Sequence, residues 1–307
     1  MIVKKKTNNN LIFRIIAIAI LSAYALFMFC MLGWALISSF KSRGDFTLYA
    51  TSLFPKYDGW QWKNYYYAYD MLCIPINLPT GGIYYVYTGE MLLYSVIWVF
   101  GCVFCNTFTT VLVAYCCARF SKQAISKIMY TITVLAISIP IIGALPSQMS
   151  IIRALNLYDN FLVLPFTKIS FVSSYFLVFY AIFVKVPTTY HEAAELDGAG
   201  HWTIFLRIIV PMIANTLLAV SVLNFIYYWN DYSTPMMFLP SYPTFAQGLY
   251  TLINGDVDGA TIDYGSKYLT KATRLAAALM GAIPSILVFV AFREKIMTNV
   301  TMGGLKG

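Results

Sequence analysis

The sequence predicts an all-α integral membrane protein: a bundle of about six transmembrane helices with a polar helix–turn–helix on one side. Three observations lead there. Hydrophobic residues fill 59% of the 307 positions and charged residues only 11%, with mean hydropathy +0.68, whereas a soluble domain carries about 25% charge. Apolar runs of the roughly 20 residues needed to cross a bilayer recur along the chain. Between two such runs lies one polar stretch, Glu192 to Pro211, too polar to span and too regular to be a plain linker.

Taken in order, residues 1–10 are a polar, cytoplasmic N-terminus with Lys4, Lys5 and Lys6. Residues 11–39 are apolar apart from Arg14 and form span 1; the run far exceeds the roughly 7–15 residues of a signal-peptide core. Residues 40–91 are an extracytoplasmic, aromatic-rich segment with Trp60, Trp62, Tyr65, Tyr66, Tyr67, Tyr84 and Tyr85, punctuated by Pro55, Pro75, Pro79 and Gly81-Gly82. It reads as an interfacial aromatic belt, or as a surface for a partner or a sugar, since rings pack on apolar sugar faces. Residues 92–292 hold a core with span 2 at 92–118, span 3 at 128–147, span 4 at 161–184, span 5 at 212–232 and span 6 at 272–292. Pro140 and Pro146 are expected to kink span 3. The linker 185–211 joins spans 4 and 5, and residues 293–307 are a cytoplasmic tail.

An even number of spans puts both termini on one side. With the N-terminus inside, twelve inner basic residues stand against four inner acidic ones, and nine against nine outside. The positive excess therefore favours a cell-membrane, multi-pass topology with both termini cytoplasmic. The net charge of +8 is explained by this placement, not by a nucleic-acid partner. The six cysteines lie mostly in apolar segments, and nothing around Cys102 and Cys105 would stabilise a thiolate, so they read as inert.

The linker has its own pattern. Tyr190 to Leu196 is rich in good helix formers. Gly198 and Gly200 stop that helix or turn it, because glycine accepts positive φ. Trp202, Phe205, Ile208 and Ile209 recur at helical spacing, so a second helix runs to Pro211.

Glu192-Ala193-Ala194, three residues, Gly198, nine residues, Ile208, one residue, Val210-Pro211 resembles the cytoplasmic coupling loop of ABC importer permeases. Val210 stands where the family has Leu. The likeness extends from about Ser95 to Gly307 and is to the sugar-importer, maltose-type branch of the binding-protein-dependent transport inner-membrane component family. Ala118-Arg119-Phe120, Ile139-Pro140, Leu155-Asn156-Leu157 with Pro165, Val186-Pro187, Trp229-Asn230-Asp231-Tyr232, Gly248-Leu249 and Lys306-Gly307 carry it. Tyr94 replaces the branch's usual Asn, and the segment 40–91 is enlarged.

The resemblance implies a permease subunit forming half of a pathway for an oligosaccharide. It implies a second permease as heterodimeric partner, a cytoplasmic ABC ATPase dimer, an extracytoplasmic solute-binding protein and the lipid bilayer. No cofactor belongs to this chain; ATP and Mg would be bound by the separate ATPase, in keeping with the absence of a Gly-x-x-x-x-Gly-Lys-Ser/Thr stretch. Glu192, Ala193, Ala194, Asp197, Gly198, Ile208 and Pro211 would be the ATPase-coupling residues, with Glu192 a charged anchor and the alanines allowing close approach.

A second candidate site is on span 5. Asn224, Tyr228 and Asp231 share one helical face, with Trp229 beside them. Amide, carboxylate and ring together suit a sugar; the same residues would also suit an outer membrane interface. His191 and His201 read as surface histidines, and Asp256-Val257-Asp258-Gly259 lacks the glutamate of a calcium loop. No catalytic or metal-ligand set is visible, which argues against the alternative of a membrane-embedded enzyme. A non-sugar solute stays open.

Overall fold

The computed structural model describes residues 6–49, 51–78, 81–139, 143, 145–170, 172–254 and 270–302, with side chains from residue 11 to residue 296. Pro140, Asp256 to Gly259, Lys4, Lys5 and the terminal Lys306-Gly307 lie outside the described residues. The chain forms two compact units, Met1–Leu72 with Leu252–Met280, and Cys73–Thr251 with Gly281–Gly307.

The first unit opens with helix α1, Lys6–Ser39. Its apolar side chains from Leu11 to Leu36 are largely exposed, as suits a helix solvated by lipid. Short helices α2 (Arg43–Leu48) and α3 (Lys63–Met71) follow. Buried Asn64 donates from Nδ2 to the carbonyls of Ser39 (2.8 Å) and Lys41 (2.9 Å), satisfying acceptors at the end of α1. Phe40 packs among Trp60, Trp62 and Tyr65. Burial pushes the Asp45 carboxyl up, but the amides of Lys56, Tyr57 and Asp58 and the Ser42 hydroxyl outweigh it and hold the group below its ordinary range. Asn64 and Asp45 are thus hydrogen-bonded polar groups inside a small packed module, while Trp60 and Trp62 remain exposed.

In the second unit, β1 (Cys73–Asn77) and β2 (Ile83–Tyr87) form an antiparallel hairpin with Pro75 opposite Tyr85. The run Ile83-Tyr84-Tyr85-Val86-Tyr87 has high strand preference, so this small sheet is an addition to the expected all-helical fold. Helix α4, Thr88–Arg119, is the centre of the unit. Around it run α5 (Ala124–Ser138), α6 (Leu145–Ala154), a 3-10 turn (Leu164–Lys168), α7 (Phe176–Val184), α8 (Thr189–Leu196), α9 (His201–Ile204), a π turn (Phe205–Ile209), α10 (Val210–Met212) and α11 (Ala214–Trp229). After these come α12 (Ser233–Phe238) and α13 (Phe245–Asn254), and α14 (Lys271–Met302) ends the described chain. Helix α4 packs against α7, α11 and the 3-10 turn. Gly101 makes the last contact possible, since a Cβ there would stand 3.0 Å from Cβ of Pro165.

Among the described residues three helices are long and apolar enough to cross a membrane: Leu11–Ser39, Thr88–Arg119 and Lys271–Ile296. The pair His201–Met212 and Ala214–Trp229 meets at 79°. The expected spans 3 and 4 are not single long helices. Helix α5 stops at Ser138 because Ile139, preceding a proline, is extended at φ −93° and ψ 117°. The run 161–184 divides into the proline-led 3-10 turn and α7, with Ser170, Ser173 and Ser174 between them.

Candidate functional site

The turn between α8 and α9 is a Schellman motif. Gly198 has φ +78°; its N–H reaches the carbonyl of Glu195 at 3.0 Å, and the Ala199 N–H reaches that of Ala194 at 2.9 Å. Ala194 and Ala199 pack in one apolar cluster with Tyr115, Phe183, Ile204, Phe205 and Ile209. The second helix exists as expected, but not as one regular piece. Pro211 has no N–H for the helical ladder, and the turn before it widens to π geometry.

The expected coupling residues separate by burial. Glu192, Ala193, Asp197, Gly198 and Pro211 are exposed, Ala194 is buried against its own unit and Ile208 is half-buried. Ala194 therefore supports the loop from beneath, and of the two alanines only Ala193 is exposed. Three large apolar residues absent from the expected set stand out in the same loop: Leu196 is 89% exposed, Trp202 60% and Leu206 51%. Their signal in the sequence was an apolar residue off the buried face of each short helix.

His191 is not at the surface. It is 6% exposed, its Nε2 lies 3.1 Å from the Tyr115 hydroxyl, and its ring stacks on that of Tyr115. Tyr115 is on α4, so this pair fastens α8 to the central helix. Arg119 of α4 adds an ion pair to Glu195 at 3.1 Å, partly exposed and therefore weak. Burial lowers the His191 pKa from 6.5, helped by Arg119 and His201 and opposed by Glu195. The unfolded chain then binds more protons than the folded one, so this stability is present above about pH 6.5 and lost as pH falls. We expect the unfolding midpoint of the purified protein to fall more between about pH 7.5 and about pH 5.5 in wild type than in His191→Gln. Equal falls would remove His191 as the cause.

The polar groups of the span 5 candidates do not converge on one site. Asn224 is buried and donates from Nδ2 to Thr107 Oγ1 (3.0 Å) and Asn106 Oδ1 (3.2 Å) on α4. Asn224 and Tyr228, with Asn106, Ser173, Ser174, Tyr175 and Tyr227, line a cavity of about 240 Å³. Trp229 turns elsewhere: its Nε1 donates to the Gly281 carbonyl at 2.9 Å and its ring stacks on Phe225 and Phe245. Asp231 lies in the turn ahead of α12, accepting from Ser233 Oγ and the Thr234 N–H, each at 3.0 Å. Both are fixed by structural duties that spacing along one helix does not reveal.

A central apolar helix, a short helix pair fastened to it and an exposed turn between two apolar segments fit a membrane-embedded protein. The chain belongs to the family described as binding-protein-dependent transport system inner membrane component, whose model matches residues 110–294. Membership implies a solute-binding protein and an ATPase as working partners, and a transport role, not an enzymatic one. The chain is 26% identical to a diacetylchitobiose uptake system permease protein of Streptomyces coelicolor, over 95% of this chain and 88% of that one. It is 27% identical to a sulfoquinovosyl glycerol transport system permease protein of Agrobacterium fabrum, over 64% and 66% of the two chains. A multiple sugar-binding transport system permease protein of Streptococcus mutans is 26% identical over 63% and 68%. The fold is shared with a bacterial ABC transporter involved in import of the acidic polysaccharide alginate, at TM-score 0.73 and 17% identity over 95% and 99% of the chains.

Proposed function

We propose that this chain is one permease of a heterodimeric pair in an ATP-driven importer of oligosaccharides. The names of three relatives, all permeases for sugars or a sugar conjugate, support the substrate class. In this reading ATP and Mg are held by a separate ATPase dimer, and both termini and the loop 185–211 face the cytoplasm, in line with the charge excess. The observation that carries the coupling role is the loop surface. Leu196, Trp202 and Leu206 expose apolar side chains in the same loop as exposed Glu192 and Asp197, a combination suited to a groove on a soluble partner.

The test is reconstitution of this chain with its neighbouring permease, ATPase and binding protein in proteoliposomes, with uptake of labelled oligosaccharides. ATP-independent uptake, or none for any sugar, would sink the reading. Orientation is checked in whole cells with a membrane-impermeant maleimide. A cysteine introduced at Asp58 should label and one at Leu196 should not; the reverse pattern would invert the topology.

A further inference from the structure

The 3-10 turn carries a cation into the middle of an otherwise apolar run. Lys168 ends that turn, and its Nζ lies 6.0 Å from the ring centroid of Trp98 and 5.9 Å from that of Tyr228. Among the described residues it forms no ion pair. Asp231 is engaged with Ser233 and Thr234 instead. Lys168 also lines a cavity of about 460 Å³ together with Gln148, Thr167, Thr234, Ile151 and Phe238. Tyr228, under the same ammonium, is also a wall of the smaller cavity beside Asn224.

A cation amid apolar residues is costly unless something pairs with it. Two rings supply part of that stabilisation through their negative faces, and Lys168 stands in the wall of the cavity. Its backbone is placed from behind. Pro165, three residues earlier, packs tightly against Gly101 of α4, where a Cβ would stand 3.0 Å from Cβ of the proline, and Trp98 and Leu164 are fully buried. The site thus offers a positive charge, an amide, two hydroxyls and an apolar wall. Those groups match a sugar that carries an anionic substituent: hydroxyls for Gln148, Thr167 and Thr234, an apolar face for Ile151 and Phe238, and a carboxylate for Lys168.

We propose that this cavity is a subsite for an anionic carbohydrate, such as a uronate-containing oligosaccharide, and that Lys168 selects the charge. The inference rests on the carbohydrate reading above and narrows it. The experiment measures binding to the complete transporter in nanodiscs of uncharged phosphatidylcholine, by calorimetry. The probes are trigalacturonate and the same trisaccharide with its carboxyls reduced to alcohols.

Wild type should bind the anionic probe at least about tenfold more tightly. Lys168→Gln should erase that preference and leave binding of the neutral probe within about twofold, which also shows that the variant is folded. Lys168→Arg should keep the preference. No preference in wild type, or the same preference in Lys168→Gln, overturns the charge inference while neutral binding leaves the carbohydrate reading standing. Binding of neither probe, with no oligosaccharide uptake, overturns both. Loss of the preference when phosphatidylglycerol is added would assign the cation to a lipid headgroup and also overturn it.

Discussion

Gly198→Val should leave a chain that inserts into the membrane but abolishes substrate-stimulated ATP hydrolysis by the complete transporter. The space around Gly198 is open: a Cβ there would meet nothing within 4 Å. The penalty is therefore in the backbone. At φ +78° a β-branched residue sits in the left-handed region, which costs about 1–2 kcal/mol for an ordinary L-residue and more for a branched one. The chain escapes by rotating out of that region, and both closing hydrogen bonds of the turn then go. Glu192, Leu196 and Trp202 lose their relative placement. Because α8 and α9 join α7 to α11 through this turn, a rigid-body link becomes a hinge. Gly198→Asn, which tolerates positive φ, should retain much of the stimulated activity. Wild-type stimulation in Gly198→Val would mean that the loop transmits nothing through its turn.

That turn was legible from sequence because its cause is local: one glycine, a helix former on one side and a helical apolar period on the other. The existence of α4 and α14 was similarly legible, since long apolar runs need only length and composition, but their bounds were not: α4 begins at Thr88 and α14 continues to Met302, into the expected tail. What escaped depends on partners distant in sequence. His191 meets Tyr115, 76 residues away, and nothing within its own helix signals a buried ring. Trp229 finds its acceptor at Gly281, 52 residues on. Asp231 looked like a ligand-facing carboxylate on a helical face, but α11 ends at Trp229 and the acid lies in the turn ahead of the next helix. Lys168 vanished inside the run 161–184, where hydropathy averages away one charge. The 3-10 geometry that aims it at two rings is set by Pro165 and by contact with Gly101.

Tyr228→Ala should show the largest combined loss, in both the folded fraction and the uptake of the complete transporter. Tyr228 is 5% exposed and packs in the cluster that includes Trp98, Phe161, Phe225 and Trp229. Deleting a buried aromatic ring of this size costs about 3–5 kcal/mol, the lost transfer energy plus the cavity left behind. The ring also forms one of the two faces under Lys168 and a wall of the cavity beside Asn224. Loss of uptake in the alanine variant alone therefore does not separate path from packing; Tyr228→Phe does. It keeps the ring, its packing and its face toward the ammonium, and removes only the hydroxyl. The unfolding midpoint should stay close to wild type in Tyr228→Phe and fall by several degrees in Tyr228→Ala. If the hydroxyl hydrogen-bonds substrate, uptake by the phenylalanine variant should drop by about fivefold or more at unchanged stability. Unchanged uptake in Tyr228→Phe would confine the residue to packing and remove its hydroxyl from the proposed substrate path.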